Sequence, residues 1–94
     1  MTSKCQEITA ELEIKNNLGL HARPAAMFVQ TAAKFDSDVS VEKDGETVNG
    51  KSLMGLLMLA AGKGTIIKLT VRGSDSDKAS EALFDLVNRK FDED

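Results

Sequence analysis

Three stretches of this chain alternate strictly between apolar and polar residues, and that period of two limits what the chain can fold into. Ile8, Ala10, Leu12 and Ile14 are separated by Thr9, Glu11 and Glu13; Val39 and Val41 stand among polar neighbours; Ile67, Leu69 and Val71 alternate with Lys68, Thr70 and Arg72. Successive side chains of a strand point to opposite faces, so each stretch reads as a strand with one face buried and one wet. Sheets that are wet on one side are antiparallel, because parallel sheets are covered on both. Helical spacing fills the gaps between the strands. From Ala22 to about Lys34, the apolar Ala25, Phe28, Val29 and Ala32 recur on one face, with Phe35 near its end. Asp44-Gly45 marks a hairpin, and Thr47-Val48 begins its return strand. Ser52 stands in an N-cap position before a helix over Leu53 to Ala61, which Gly62 and Gly64 are expected to close. Ser74-Asp75-Ser76-Asp77 opens a last helix, with Ala79, Ala82, Leu83 and Leu86 expected inside and Arg89 and Lys90 in its final turn. The order β-α-β-β-α-β-α predicts an α+β fold, an open sandwich of a four-stranded antiparallel sheet with its helices on one face. The order does not choose between a plain ferredoxin-like arrangement and relatives with other strand orders.

With 94 residues the chain is expected to form a single domain over 1–94. No apolar run is long enough to span a membrane, and Met1 to Ile14 lacks the charged start and apolar middle of a signal peptide. Cys5 is alone, which leaves no intrachain disulfide and no metal-cysteine cluster. A reducing cytoplasm is therefore the expected compartment. The net charge is −3, with acidic residues gathered in Asp92-Glu93-Asp94 and at Asp75 and Asp77. Without a basic stripe, and with no Trp or Tyr to stack on bases, nucleic acid is not an expected partner.

The single histidine lies in the run Gly19-Leu20-His21-Ala22-Arg23-Pro24-Ala25. Pro24 belongs in a first helical turn, where a missing N–H is harmless, so His21 falls at the helix N-terminus. The residue before a proline disfavours the α region, so an irregular first turn is expected at Arg23. Free N–H groups of Ala22, Arg23 and Ala25 are expected around the imidazole, with the positive end of the helix dipole behind them. The Arg23 guanidinium adds further positive charge. His is not a favoured N-cap, and a cation in the first turn opposes the dipole. A bound or covalent anion resolves that conflict. Because the same positive surroundings disfavour imidazolium, a ring nitrogen keeps its lone pair near neutral pH. These features predict a histidine that carries a phosphoryl group. A metal site is weaker, since no second His exists and Cys5 lies on another element. A Ser-His-Asp site lacks its elbow motif. A plain surface N-cap with no task is the alternative for His21.

The helix after Ser52 carries no charge up to Gly62. Leu53, Leu56, Leu57 and Ala60 are expected to pack on the sheet, leaving Met54 and Met58 as an exposed patch for docking partners, whose varied surfaces thioethers suit. Gly45-Glu46-Thr47-Val48-Asn49-Gly50-Lys51-Ser52 matches a phosphate-binding G-x-x-x-x-G-K-S pattern. It is rejected as a nucleotide site because Asp44-Gly45 serves a hairpin and no parallel βαβ unit surrounds it, which leaves ATP binding only as an alternative. Two further readings stay open here: a regulatory module that binds through Met54 and Met58 with His21 unmodified, and a small-ligand-binding domain.

Asn16-Asn17-Leu18-Gly19-Leu20-His21-Ala22-Arg23-Pro24-Ala25 closely resembles the phosphorylation-site signature of the HPr family, the histidine-containing phosphocarriers of the phosphoenolpyruvate-dependent phosphotransferase system. Val48-Asn49-Gly50-Lys51-Ser52-Leu53-Met54-Gly55-Leu56 is similar to the regulatory-serine segment of that family. The resemblance covers nearly the whole chain, and it implies a covalent phosphoryl relay with no cofactor and no turnover of its own. It implies that His21 accepts the phosphoryl group on Nδ1 from phosphorylated enzyme I and passes it to enzyme IIA proteins. By the same resemblance Arg23 steadies that group, and Ser52 is a target of HPr kinase/phosphorylase. The docking surface is expected at Leu53, Met54, Leu57 and Met58, on a monomer. The implied fold is an open-faced β-sandwich, four antiparallel strands with three helices on one side. Phe91-Asp92-Glu93-Asp94 resembles the nitrogen-related branch, while the Ser52 segment resembles Gram-positive sugar-type members, so the branch stays open.

Overall fold

The computed structural model describes residues 6–93, which follow the expected β-α-β-β-α-β-α order. Cys5 and Asp94 lie outside the described residues. Strands β1 (Gln6–Glu13), β2 (Asp38–Lys43), β3 (Glu46–Asn49) and β4 (Ile66–Gly73) form one antiparallel sheet in the order β1-β4-β2-β3. That order settles the arrangement the sequence left open. Helices α1 (Ala22–Ala32), α2 (Leu53–Leu59) and α3 (Ser76–Asn88) close over the apolar face.

Register explains why one face alone is dry. Val71 of β4 stands opposite both Ile8 of β1 and Val39 of β2, and Leu69 stands opposite both Ala10 and Val41. The apolar alternations therefore align as rows, and the core of Val39, Val41, Ile67, Leu69 and Val71 meets Phe28, Leu56, Leu83 and Leu86 from the helices. On the other face Thr9 and Ser40 flank Thr70, and Lys68 stands between Glu11 and Glu42, a favourable cross-strand placement. Ile8, Ala10 and Leu12 are only half-buried because β1 is an edge strand. The hairpin forms as expected: Asp44 (φ 52°) and Gly45 (φ 85°) make the two-residue turn between Lys43 and Glu46. Residues 46–49 of the rejected nucleotide pattern are thus strand β3.

Four local expectations need correction. Helix α2 ends at Leu59, capped by Ala60 in the left-handed region (φ 52°) instead of by Gly62 or Gly64. Its buried residues are Leu56 and Leu59, so Leu53, Leu57 and Ala60 are exposed. An apolar sequence on every side offers no polar face to fix the phase, and the packing partner chooses it. Ala82 is half-buried, while Val87 is fully inside. Arg89 and Lys90 lie beyond α3, which ends at Asn88. Arg89 pairs with Asp85 and Asp92 at the helix exit.

Candidate functional site

The segment between β1 and α1 is threaded through a close backbone approach. Gly19 has φ 72°, and a Cβ there would lie 2.5 Å from the Ala61 carbonyl oxygen and 2.7 Å from Gly62 Cα. Leu20 N–H donates to that Ala61 oxygen at 2.8 Å, and Gly19 N–H donates to Asn16 O at 3.2 Å. The buried Leu20 side chain anchors the end of this segment. His21 follows as the N-cap of α1, with extended backbone (φ −82°, ψ −169°) and a side chain that makes no capping hydrogen bond. Arg23 is accommodated inside the helix although it precedes Pro24.

His21 is partly exposed, and its Nε2 lies 3.0 Å from Glu93 Oε1. The same carboxylate oxygen accepts from Asn16 Nδ2 at 2.9 Å, and Nδ2 also donates to Gly19 O at 2.7 Å. Asn16 is fully buried, and its Oδ1 has no partner among the described residues. The Asn16 hydrogen bond, followed by the His21 contact, holds the Glu93 carboxyl below its ordinary range, and the positive charge of Arg23 acts in the same direction. Glu93 is therefore an anion at neutral pH, and Nε2 is the donor in its contact with His21. In the neutral ring this leaves the lone pair on Nδ1, which has no hydrogen-bond partner among the described residues.

Glu93 reaches this position through unusual backbone. After α3 the chain turns through Lys90, Phe91 and Asp92, all left-handed at φ 59°, 55° and 60°. Left-handed conformation costs a residue with a Cβ roughly 1–2 kcal/mol. Burial of Phe91, 1% exposed, and the Arg89–Asp92 ion pair at 2.9 Å hold the turn in place. Glu93 then resumes extended backbone and crosses to the start of α1.

The donors around the imidazole differ in one respect from expectation. Ala25 N–H donates to the His21 carbonyl at 2.9 Å, the first intrahelical bond, and is not a free donor. The N-cap carbonyl always takes that bond, so Ala22 and Arg23 carry the available amides. The Arg23 side chain is exposed, without a hydrogen bond or ion pair among the described residues. No group of His, Cys, Asp or Glu able to hold a metal occurs among the described residues.

Ser52 caps α2 as expected, its Oγ accepting from Gly55 N–H at 3.0 Å. Leu53, Met54, Leu57 and Met58 are 42%, 68%, 37% and 70% exposed, so all four expected docking residues share an open apolar surface. The Leu20–Ala61 hydrogen bond ties the segment leading to His21 to the chain just beyond α2. Leu18, 74% exposed, lies on that segment.

Sequence reasoning missed Glu93 and Asn16. Glu93 enters the sequence reading only within the acidic run Asp92-Glu93-Asp94, and the one signal for its role is Phe91, an apolar residue isolated beyond the last helix.

Residues 8–89 match the family described as the PTS HPr component phosphorylation site. The phosphocarrier protein HPr of Neisseria meningitidis serogroup A is 55% identical over 82 residues, which cover 87% of this chain and 92% of that one. The crystal structure of HPr-C-His from Thermoanaerobacter tengcongensis superposes with a TM-score of 0.86 at 52% identity, covering 95% of this chain and 98% of its own. An HPr dimer from the same organism gives a TM-score of 0.75 at 54% identity, over 87% and 94% of the two chains. Alternation in the strands, the histidine at the start of α1 and these likenesses agree: the chain belongs to the HPr family of the phosphotransferase system, whose members are phosphocarriers and not enzymes.

Proposed function

We propose that His21 is the phosphoryl acceptor, taking the group on Nδ1 from phosphorylated enzyme I and yielding it to enzyme IIA proteins. The observation that carries this reading is the imidazole itself: Nε2 is hydrogen-bonded to a carboxylate, while Nδ1, at a helix start, has no partner among the described residues. In the transfer, the Nδ1 lone pair forms a bond to phosphorus as the donor–phosphorus bond breaks, and the donor leaves with that electron pair. The amides of Ala22 and Arg23 meet the phosphoryl oxygens, and the Arg23 guanidinium is free to swing toward them. The helix-dipole contribution is modest, roughly 0.3–1 kcal/mol, which suits a group that must leave again.

Leu53, Met54, Leu57 and Met58 form the docking surface for both partners, and Ser52 beside them is the site for a regulatory phosphate. Added there, the phosphate would put two negative charges among exposed apolar side chains and oppose association. The carrier acts as a cytoplasmic monomer. Light scattering at working concentration checks the monomer.

The test of the acceptor is labelling with phosphoenolpyruvate and enzyme I. Acid-labile phosphate should appear on the native chain and be absent from His21→Ala. Undiminished labelling of His21→Ala would sink the assignment.

A further inference from the structure

We propose that Glu93 is a positioning residue for the transfer, fixing the Nε2–H tautomer of His21 and stabilising the cationic ring that forms when Nδ1 is phosphorylated. The inference rests on His21 being the acceptor. The geometry behind it is specific: Glu93 Oε1 is 3.0 Å from Nε2, on the ring nitrogen opposite the one that reacts. The carboxylate therefore leaves the path to Nδ1 open. A second hydrogen bond, from Asn16 at 2.9 Å, fixes the same oxygen, and Asn16 is itself held by Gly19 O at 2.7 Å. The chain adopts three consecutive left-handed residues to deliver Glu93 here, with Phe91 buried as the anchor. A freely solvated tail would need none of this.

The chemistry follows from the proton count. In the neutral ring Nε2 bears the only N–H, and Nδ1 has the lone pair. When that lone pair bonds to phosphorus and the donor departs with its electrons, the ring retains its Nε2 proton and becomes a phosphoimidazolium. An anion beside Nε2–H stabilises this cation more than the neutral ring. It also keeps the proton in place, so that the ring leaves as a neutral imidazole when the phosphoryl group moves on. Without the carboxylate, the phosphorylated ring would shed the proton more readily and would have to leave as an anion. The titratable and charged groups facing Glu93 are His21 and Arg23, both at the start of α1, while Asn16 contributes an uncharged amide from the β1–α1 segment.

The imidazole nitrogens of 15N-labelled protein, followed by NMR against pH in the free and phosphorylated states, test the proposal. The native neutral ring should show the Nε2–H tautomer. Glu93→Gln keeps an acceptor but no charge, so it should retain the tautomer while its phosphorylated ring loses the Nε2 proton at lower pH. Glu93→Ala should lose both properties and accept phosphate from enzyme I about tenfold more slowly. A native Nδ1–H tautomer, or identical ring titrations in all three proteins, would overturn the role of Glu93. Either result would leave phosphorylation at His21 intact, whereas labelling of His21→Ala would remove the acceptor reading itself. The native spectrum decides the tautomer even if a variant folds poorly.

Discussion

At the scale of single residues, the site depends on one position that carries no functional group. Gly19 meets two demands at once, a positive φ and backbone contact with Ala61 and Gly62. Gly19→Ala should therefore destabilise the fold by at least about 2 kcal/mol, since left-handed conformation alone costs roughly 1–2 kcal/mol and the contact with the Ala61 carbonyl adds to it. Urea unfolding measures this. The same variant should accept phosphate more slowly even where it is fully folded, because Leu20 and then His21 follow directly from the displaced segment. An unchanged midpoint would mean that the segment shifts away from Ala61 without cost. Asn16 acts at the same scale. It bridges Gly19 and Glu93 through one amide nitrogen, and its own oxygen is buried with no partner among the described residues.

At the scale of elements, α2 separates capping from docking. Ser52 caps through its hydroxyl, and Asp is an equally good N-cap. Ser52→Ala should lose about 1 kcal/mol of stability, whereas Ser52→Asp should keep it. Transfer from enzyme I should respond in the opposite pattern. Ser52→Ala keeps the apolar surface of Leu53, Met54, Leu57 and Met58 and should show a near-native KM. Ser52→Asp should raise KM several-fold. A matching rise in both variants would assign the effect to loss of the Ser52 hydroxyl and not to the added charge. The elements also show what the sequence could disclose. The strands were legible because Val39, Val41, Ile67, Leu69 and Val71 alternate with polar residues and align in register. The phase of α2 was not, because a helix without charge fits its site in several rotations and only Leu56 and Leu59 go inside. The approach of His21 to α1 was legible from Pro24. Its carboxylate partner was not, because no local pattern announces three left-handed residues in a row at Lys90, Phe91 and Asp92.

At the scale of the whole molecule, carboxylates join parts of the chain that are distant in sequence, and they give the fold a predictable response to acid. Asp75, at the entrance of α3, accepts from the Asp36 and Ser37 N–H groups at 2.8 and 3.0 Å and from the Ser37 hydroxyl. It thereby ties the turn after α1 to the beginning of α3. The Ser37 hydroxyl contributes most to holding the Asp75 carboxyl below its ordinary value of 3.8, and the Asp36 amide follows. A carboxyl lowered on folding binds protons more readily in the unfolded chain. Its contribution is therefore fully present above the unfolded value and fades as pH falls through the folded one. Glu93 is lowered too, from an ordinary value of 4.5, so the two responses overlap. They are separable in a Glu93→Gln background, where Asp75 remains the tie between α1 and α3. In that background Asp75→Asn should be less stable at neutral pH by a constant amount. The gap should close as pH falls below about 4 and on through the lowered value of Asp75, where the carboxylate is protonated and loses the charge that the Asn variant never has. Urea unfolding across that pH range reads the convergence directly. A gap that persists at the acid end would assign the loss to altered packing around Ser37 and not to the charge of Asp75.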